Sequence, residues 1–303
     1  MIPELFIGVD WSGARGEFHR GIQLAEAWAG EEAVRLITPP HPRGWSRQAV
    51  ADYLMARSTE ARVLAGIDFA FAHPIGEDGH YYEGEASSPT AAQPLWQMVD
   101  QTCADAPHLY GGAMWLHPQF GAYYNAPIKG GRGARFQSRR RQTEQVAAGL
   151  NGRHPSPTFN CVGPAGVGTG SLAGMRLLHR MQGSAVIWPF AMPGASDRLV
   201  LVEIFPALYF TMAGVRDAAK KADPLAALNQ GLAHFGAMGQ GSVAGGLPDQ
   251  DDIDALISAA ALRSLTKARR SGSLWSLGDS LAGDDQHALA AQEGWIFGAG
   301  WAR

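Results

Sequence analysis

The sequence is poor in cysteine and in charge, and it lacks any long apolar run. Cys103 and Cys161 are its only cysteines. Their spacing matches neither a CxxC redox pair nor a zinc knuckle, so the fold is expected to need no disulfide and no thiolate-bound metal. Such sparse use fits a reducing compartment. No window approaches the ~18 consecutive apolar residues of a membrane span. The opening Met1-Ile2-Pro3-Glu4-Leu5 has no basic segment followed by an apolar one. A cytoplasmic location without a membrane partner is the expectation. Only 17% of residues are charged, and the formal charge is -3, which argues against a general polyanion binder but leaves room for a local patch. No repeat of the solenoid kind recurs. The GxSxG elbow of serine hydrolases, the HExxH zinc motif and the lysine of a P-loop are all missing.

Apolar residues, at 46%, are plentiful, and a chain near 300 residues buries about 75% of its unfolded surface. Leu5 to Asp10 is an apolar run that ends in an acid and a turn-forming Ser12-Gly13, the pattern of a buried strand. Gly21 to Trp28 and Ala33 to Thr38 follow as two further strands, with Gly30-Glu31-Glu32 between them, so the first three strands are expected to form an antiparallel meander. Ser46 can cap a helix carrying Val50, Tyr53 and Leu54 on one face. Val63 to Phe69 is another buried strand, and Asp68 lies near its end. Residues 70–190 read as an elaborated insertion region, within a single domain spanning 1–303. It should hold helices over Pro94 to Cys103 and Arg135 to Leu150, and a glycine-rich loop over Gly163 to Gly174. Arg198 to Phe205 is the next buried strand, with Glu203 embedded in it and Pro206 opening a helix behind it. A helical segment from Pro224 to Phe235 and a glycine-rich loop lead to a strong helix from Asp249 through Leu265. Gly294 to Gly298 closes the pattern as a strand or hairpin.

The acids carry the chemistry. Asp251 and Asp254 stand at i and i+3, on one face of a helix first turn, where its dipole favours carboxylates. Helix capping by Asp249 or Asp251 accounts for part of this cluster. Asp10, Asp68 and Glu203 lie in or at the end of apolar strands, where an isolated carboxylate costs several kcal/mol unless paired or metal-bound. If their strands are neighbours, these acids converge with the Asp251/Asp254 face. Their natural counter-charge is then Mg2+ or Mn2+. Two such ions about 3.5 to 4 Å apart activate a water and stabilise the leaving oxygen of a phosphodiester.

The β-β-β-α-β order, with acids in Gly8-Val9-Asp10, Gly66-Ile67-Asp68, Val202-Glu203-Ile204-Phe205-Pro206 and Asp251-Asp252-Ile253-Asp254-Ala255-Leu256, resembles the ribonuclease H-like fold. More narrowly it is similar to the predicted-nuclease family called domain of unknown function 429. Glu293-Gly294-Trp295-Ile296, Phe159-Asn160-Cys161-Val162-Gly163 and Ile187-Trp188-Pro189-Phe190 add to the likeness, which runs from about Leu5 to Phe297. In one departure, Phe69-Ala70-Phe71-Ala72-His73-Pro74 sets its proline later than an IDxP motif does. The resemblance implies an α/β fold with a mixed five-stranded sheet flanked by helices and a large helical and loop insertion. It also implies a metal-dependent nuclease acting on DNA or RNA, with Asp10, Asp68, Asp251 and Asp254 as metal ligands and Glu203 as a ligand or structural partner. Asp252 competes with Asp251 for its role; Asp251 is preferred because it lies beside Asp254.

Several other features bear on function. Lys129, Arg132, Arg135, Arg139, Arg140, Arg141 and Arg153 have only Glu144 against them, a local excess of about +6. Ser12, Arg132, Arg135, Arg139 and Arg140 are the candidate substrate contacts, and Phe120, Tyr123, Tyr124 and Phe136 are candidates for stacking on bases. A solvated helix face with buried aromatics explains the same pattern. His73 and His80 read mainly as surface-loop histidines, with proton transfer as the functional alternative. Gly163 to Gly170 with Ser12-Gly13 suits a phosphate cradle in a nucleotide-binding phosphotransferase or ATPase of the actin-like type. A non-catalytic protein whose acids bind one structural ion is a third reading.

Overall fold

A computed structural model of the chain describes residues 1–149, 155–163, 166–239, 247–269, 274–277 and 284–301, and the side chains of all of these except 284–286. The strands are β1 (Leu5–Asp10), β2 (Gln23–Trp28), β3 (Val34–Leu36), β4 (Val63–Ile67), β5 (Val186–Ile187) and β6 (Leu199–Glu203). The helices are α1 (Arg47–Glu60), α2 (Ala92–Thr102), α3 (Gln142–Gly149), α4 (Val167–Met181) and α5 (Pro206–Met212). They continue with α6 (Asp217–Ala222), α7 (Pro224–His234), α8 (Gln250–Ala268) and α9 (Asp284–Glu293). The chain divides into two compact units.

Unit 1 comprises Met1–Trp11, Phe18–Asp68 and Ser184–Ser276. It is an α/β layer structure built on one mixed six-stranded sheet, in the order β3-β2-β1-β4-β6-β5. The opening meander is antiparallel as expected, and β1, β4, β6 and β5 run parallel. The sheet has six strands rather than five, because β5 pairs on the outer edge of β6. At two residues, β5 is too short to leave a pattern in the sequence.

The side chains of β1 alternate between two helical layers. On one face Ile7 is level with Glu26 of β2. The Glu26 carboxylate receives Arg57 Nε at 2.7 Å and Tyr53 Oη at 2.6 Å, which docks α1 there. Ser46 caps that helix, its Oγ accepting from the Ala49 N–H at 3.0 Å. On the other face Gly8 and Gly66, partners in register, make room for α8. A Cβ on Gly8 would stand 2.4 Å from Ala255 O and 2.7 Å from Ala259 N. One on Gly66 would meet Ile204 Cγ2 at 2.3 Å and Leu262 Cδ1 at 3.0 Å. Helix α8 is buried on most sides, from Ile253 through Arg263, with α5 and α7 packed against it away from the sheet. An all-round apolar helix of this kind belongs at the centre of a core.

Unit 2 comprises Ser12–Glu17, Phe69–Gly183 and Leu277–Arg303. Its glycine-rich stretch is a correction to the loop expectation: α4 already begins at Val167. The glycines serve close packing. A Cβ on Gly168 would lie 2.3 Å from Thr158 O, one on Gly174 would lie 2.3 Å from the Phe69 ring, and one on Gly13 would meet the Thr169 and Gly170 backbone at 2.3 Å. Pro164 and Ala165 of the candidate cradle lie outside the described residues, as do 240–246 of the glycine-rich stretch ahead of α8. The helix expected from Arg135 begins only at Gln142, and Leu150 lies outside the described residues. Glu144 sets that start by accepting the Arg141 N–H at 3.0 Å and Arg141 Nε at 2.9 Å. Gly294 to Gly298 forms no full strand: Ile296 is a single β-bridge residue and a turn begins at Phe297. There the Ile296 N–H donates to Thr143 Oγ1 at 2.9 Å.

Because the β1–α8 seam has no free volume at Gly8, Gly8→Ala is expected to destabilise the protein by about 2–3 kcal/mol, the cost of overpacking a core. Urea unfolding should show a lower midpoint, and an unchanged midpoint would mean that the seam yields.

Candidate functional site

The seam also determines where the carboxylates meet. From Ala255 back to Asp251 is one helical turn, about 6 Å; from Gly8 on to Asp10 is about 6.6 Å of strand. Equal steps from one contact bring Asp251 level with Asp10. Asp68 joins them because Gly8 and Gly66 are register partners, and two residues further on each strand Asp10 and Asp68 share the α8 face. The Asp68 N–H donates to Val9 O at 3.0 Å, which prolongs the parallel pairing to the acid itself.

The helix start assigns the acids that sequence leaves open. Asp249 is the N-cap, with Oδ1 accepting the N–H groups of Asp251 and Asp252 at 3.0 Å each. Asp252 completes a capping box by accepting the Asp249 N–H at 3.1 Å. Asp252 is thus spent on the helix end, and Asp251 is left to face Asp10, which acts on its carboxyl. Gly21 leaves space beside Asp251, since a Cβ there would come within 3.2 Å of Asp251 Oδ2.

Glu203 is placed differently. Its register partner is Ile67, so its pleat parity is opposite to that of Asp68. It is only 2% exposed, and its charge still acts on Asp68. This position suits a supporting role more than a ligand's.

Charge crowding leaves its mark on the acids. Burial, then the charges of Asp68, Asp254 and Asp251, hold the Asp10 carboxyl well above its ordinary range. Burial, then Asp254 and Glu203, does the same to Asp68. Asp251 is raised by burial and by Asp249, Asp254 and Asp252. The opposing charge on Asp10 and Asp68 comes from Lys220, whose Nζ donates to Asp254 Oδ1 at 2.7 Å. The other Asp254 oxygen accepts Gln250 Nε2 at 2.8 Å. Sequence reasoning missed Lys220: it belongs to a short exposed helix 34 positions from its partner, and nothing local marks it. An all-oxygen, carboxylate-rich donor set fits a hard divalent cation such as Mg2+ or Mn2+. Among the described residues, no three Asp, Glu, His or Cys side chains stand close enough together to hold a metal ion as they are placed.

The basic candidates belong to unit 2. Arg132 is exposed, with its guanidinium 5.1 Å from the Phe136 ring centre. Arg135, half exposed, pairs with Glu85 and donates to Tyr123 Oη at 2.6 Å. Arg139 bonds Glu83 at 3.0 Å and Tyr81 O at 3.1 Å, and Arg140 Nε donates to Pro155 O at 3.2 Å. Arg141 is buried with Glu144, and Arg153 lies outside the described residues. The local excess is therefore smaller than sequence proximity suggests, because Glu83 and Glu85 arrive from 50 or more positions away. Arg135, Arg139, Tyr123, Phe159 and Glu83 border a cavity of about 360 Å3. Ser12 Oγ accepts the Ala14 N–H at 3.3 Å.

Two further readings are corrected in unit 2. Phe120, Tyr123 and Tyr124 are buried, and only Phe136 retains some exposure for stacking. His73 is fully buried instead of lying in a surface loop. Its Nδ1 is 2.7 Å from Thr158 Oγ1 and its Nε2 is 3.0 Å from Tyr124 Oη. Burial, helped by Arg141 and Arg139, pushes its pKa down to about 3, so the ring is neutral. His80 stays partly exposed, with Nδ1 3.0 Å from Asp78 O. Glu293, the acid of the Glu293-Gly294-Trp295-Ile296 element, accepts the N–H groups of Ile75 at 2.8 Å and Gln142 at 2.7 Å.

Compared with known proteins, the chain matches no family model, no curated protein and no solved structure.

Asp10 and Asp68 have higher pKa values folded than unfolded, so folding takes up protons at these sites. Their contribution is harmless below the ordinary value of 3.8. It becomes unfavourable as pH rises from there through the raised folded values. In EDTA, thermal stability should therefore decline as the pH climbs out of the acid range. Asp10→Asn should flatten that decline and raise the melting temperature at pH 8 by about 2–4 °C, as about 1 kcal/mol does in a large domain. A variant melting lower than wild type at pH 8 would refute this.

Proposed function

We propose that unit 1 is a ribonuclease H-like domain and that the chain is a metal-dependent nuclease hydrolysing phosphodiester bonds of DNA or RNA, similar to the domain of unknown function 429 family. The observation that carries this reading is the convergence of Asp10 from β1, Asp68 from the end of β4 and Asp251 and Asp254 from the first turn of α8. The charges of Asp68, Asp254 and Asp251 help to raise the Asp10 pKa, and that of Asp254 helps to raise those of Asp68 and Asp251. Retaining so many mutually repelling acids at one place is costly for folding alone, and perturbed acids grouped in this way are a mark of functional sites. The β-β-β-α-β succession of the sheet supports the fold assignment.

Asp10, Asp68, Asp251 and Asp254 would hold Mg2+ or Mn2+, and Glu203 would support Asp68 from the opposite side of the strand. A bound divalent ion supplies a water of lowered pKa and stabilises charge on the leaving oxygen. The chain's own part is to hold the carboxylates in place, and the cation would supply the charge that lets them ionise despite their burial and crowding. Strand ends and a capped helix hold them better than loops, since each acid is fixed by backbone hydrogen bonds on either side. Exposed Arg132 and half-exposed Arg135 of unit 2 are proposed phosphate contacts, with Arg139, Arg140 and Ser12 as further candidates.

Purified protein should cut labelled single- or double-stranded DNA or RNA with Mg2+ or Mn2+ and not with EDTA. Asp10→Asn and Asp254→Asn should each lose at least about 100-fold of the rate, the scale of removing one preorganised electrostatic contribution, while remaining folded by circular dichroism. Absence of cleavage on every polymer, with or without metal, would sink the reading. Cleavage that survives in both variants would move the chemistry elsewhere.

A further inference from the structure

The ammonium of Lys220 lies against the carboxylate group as a small cation would. Its Nζ is 2.7 Å from Asp254 Oδ1, with the lysine side chain only 14% and the aspartate side chain 19% exposed. Its field reaches past that partner and opposes the mutual repulsion felt by Asp10 and Asp68. Asp254 therefore has one oxygen engaged by Lys220 and the other by Gln250, and a further cation approaching Oδ1 meets the like charge of the ammonium.

We propose that Lys220 is the built-in counter-cation of the Asp10, Asp68, Asp251 and Asp254 group, and that a divalent ion binds there by displacing its ammonium from Asp254. The proposal rests on the metal-binding reading of the same acids. Three features make Lys220 displaceable. It sits on α6, a short helix with no buried residue. Its charge is a point on a flexible four-carbon stem, unlike the rigid fork of an arginine that would grip the carboxylate with two hydrogen bonds. A second resting place is also at hand, because Nζ is already 4.3 Å from the centre of the Phe210 ring, whose face attracts a cation. A divalent ion brings twice the charge to acids that repel one another, so the exchange favours the metal and lysine acts as its competitor.

The test is calorimetric titration of the metal-free full chain with Mn2+, comparing wild type with Lys220→Met and Lys220→Arg. Removing the competitor should tighten Mn2+ binding at least about tenfold in Lys220→Met, and Lys220→Arg, which keeps the charge, should bind no tighter than wild type. Without metal, Lys220→Met should melt lower than wild type, and saturating Mn2+ should close most of that gap. Equal Mn2+ affinity in wild type and Lys220→Met would overturn the displacement while leaving the metal site standing. If neither protein bound Mn2+, both the displacement and the metal-dependent reading would fall. Wild-type protein gives an independent readout should Lys220→Met not fold. Mass spectrometry of acetic anhydride labelling should show Lys220 modified several-fold faster with saturating Mn2+ than with EDTA, and an unchanged rate would refute displacement.

Discussion

Gly8 lets α8 lie directly against the backbone of β1, and most of unit 1 is arranged around that contact. With any larger residue at that position, α8 would have to move away from the strand. The sheet then turns its opposite face to α1, fastened through Glu26, Tyr53 and Arg57, while α5 and α7 cover the outer side of α8. The carboxylate group is a by-product of this geometry. Because strand and helix advance by nearly the same distance from the common contact, four acids from three elements arrive together.

That convergence works against stability. Each added carboxylate makes its neighbours harder to ionise, and one lysine offsets only part of the repulsion. The polar groups of unit 2 are treated differently. Arg141 with Glu144, Arg176 with Asp100 and Glu293 with two backbone amides are buried with their charges or hydrogen bonds matched. His73 is simply kept neutral among tyrosines and a threonine. The acids of unit 1 differ in that like charges are crowded at one place, and perturbed acids grouped in this way are a mark of functional sites.

Much of this was legible in the sequence. Leu5 to Asp10, Val63 to Asp68 and Arg198 to Glu203 are apolar runs bounded by turns, and burial on both faces makes that the signature of a central strand. Acids inside such runs stand out because solvation cannot explain them. The i, i+3 spacing of Asp251 and Asp254 singled out one face of α8, and the capping geometry then separated Asp251 from Asp252. What stayed hidden depends on long-range contacts. Lys220 has an ordinary exposed neighbourhood in sequence. Arg135 and Arg139 are partly neutralised by glutamates from a distant segment. Composition also misled where glycine has two uses: Gly168 and Gly174 looked like a loop, although they sit in a helix and thin it for its neighbours. His73 carried no signal at all, because a buried neutral histidine and a surface one are spelled the same way.

The capping box at the head of α8 has one more consequence, which concerns insertions and deletions. Asp249 and Asp252 anchor the helix end from within, so a residue added in the loop before Asp249 alters only the path by which the chain arrives. A residue added between Asp254 and Ala255 acts quite differently. It rotates everything ahead of it by about 100° relative to the seam, turning both aspartates away from the strands while leaving composition, charge and helix length almost unchanged. The interval from Asp251 to Ala255 is thus a ruler whose length matters as much as the residues at its ends.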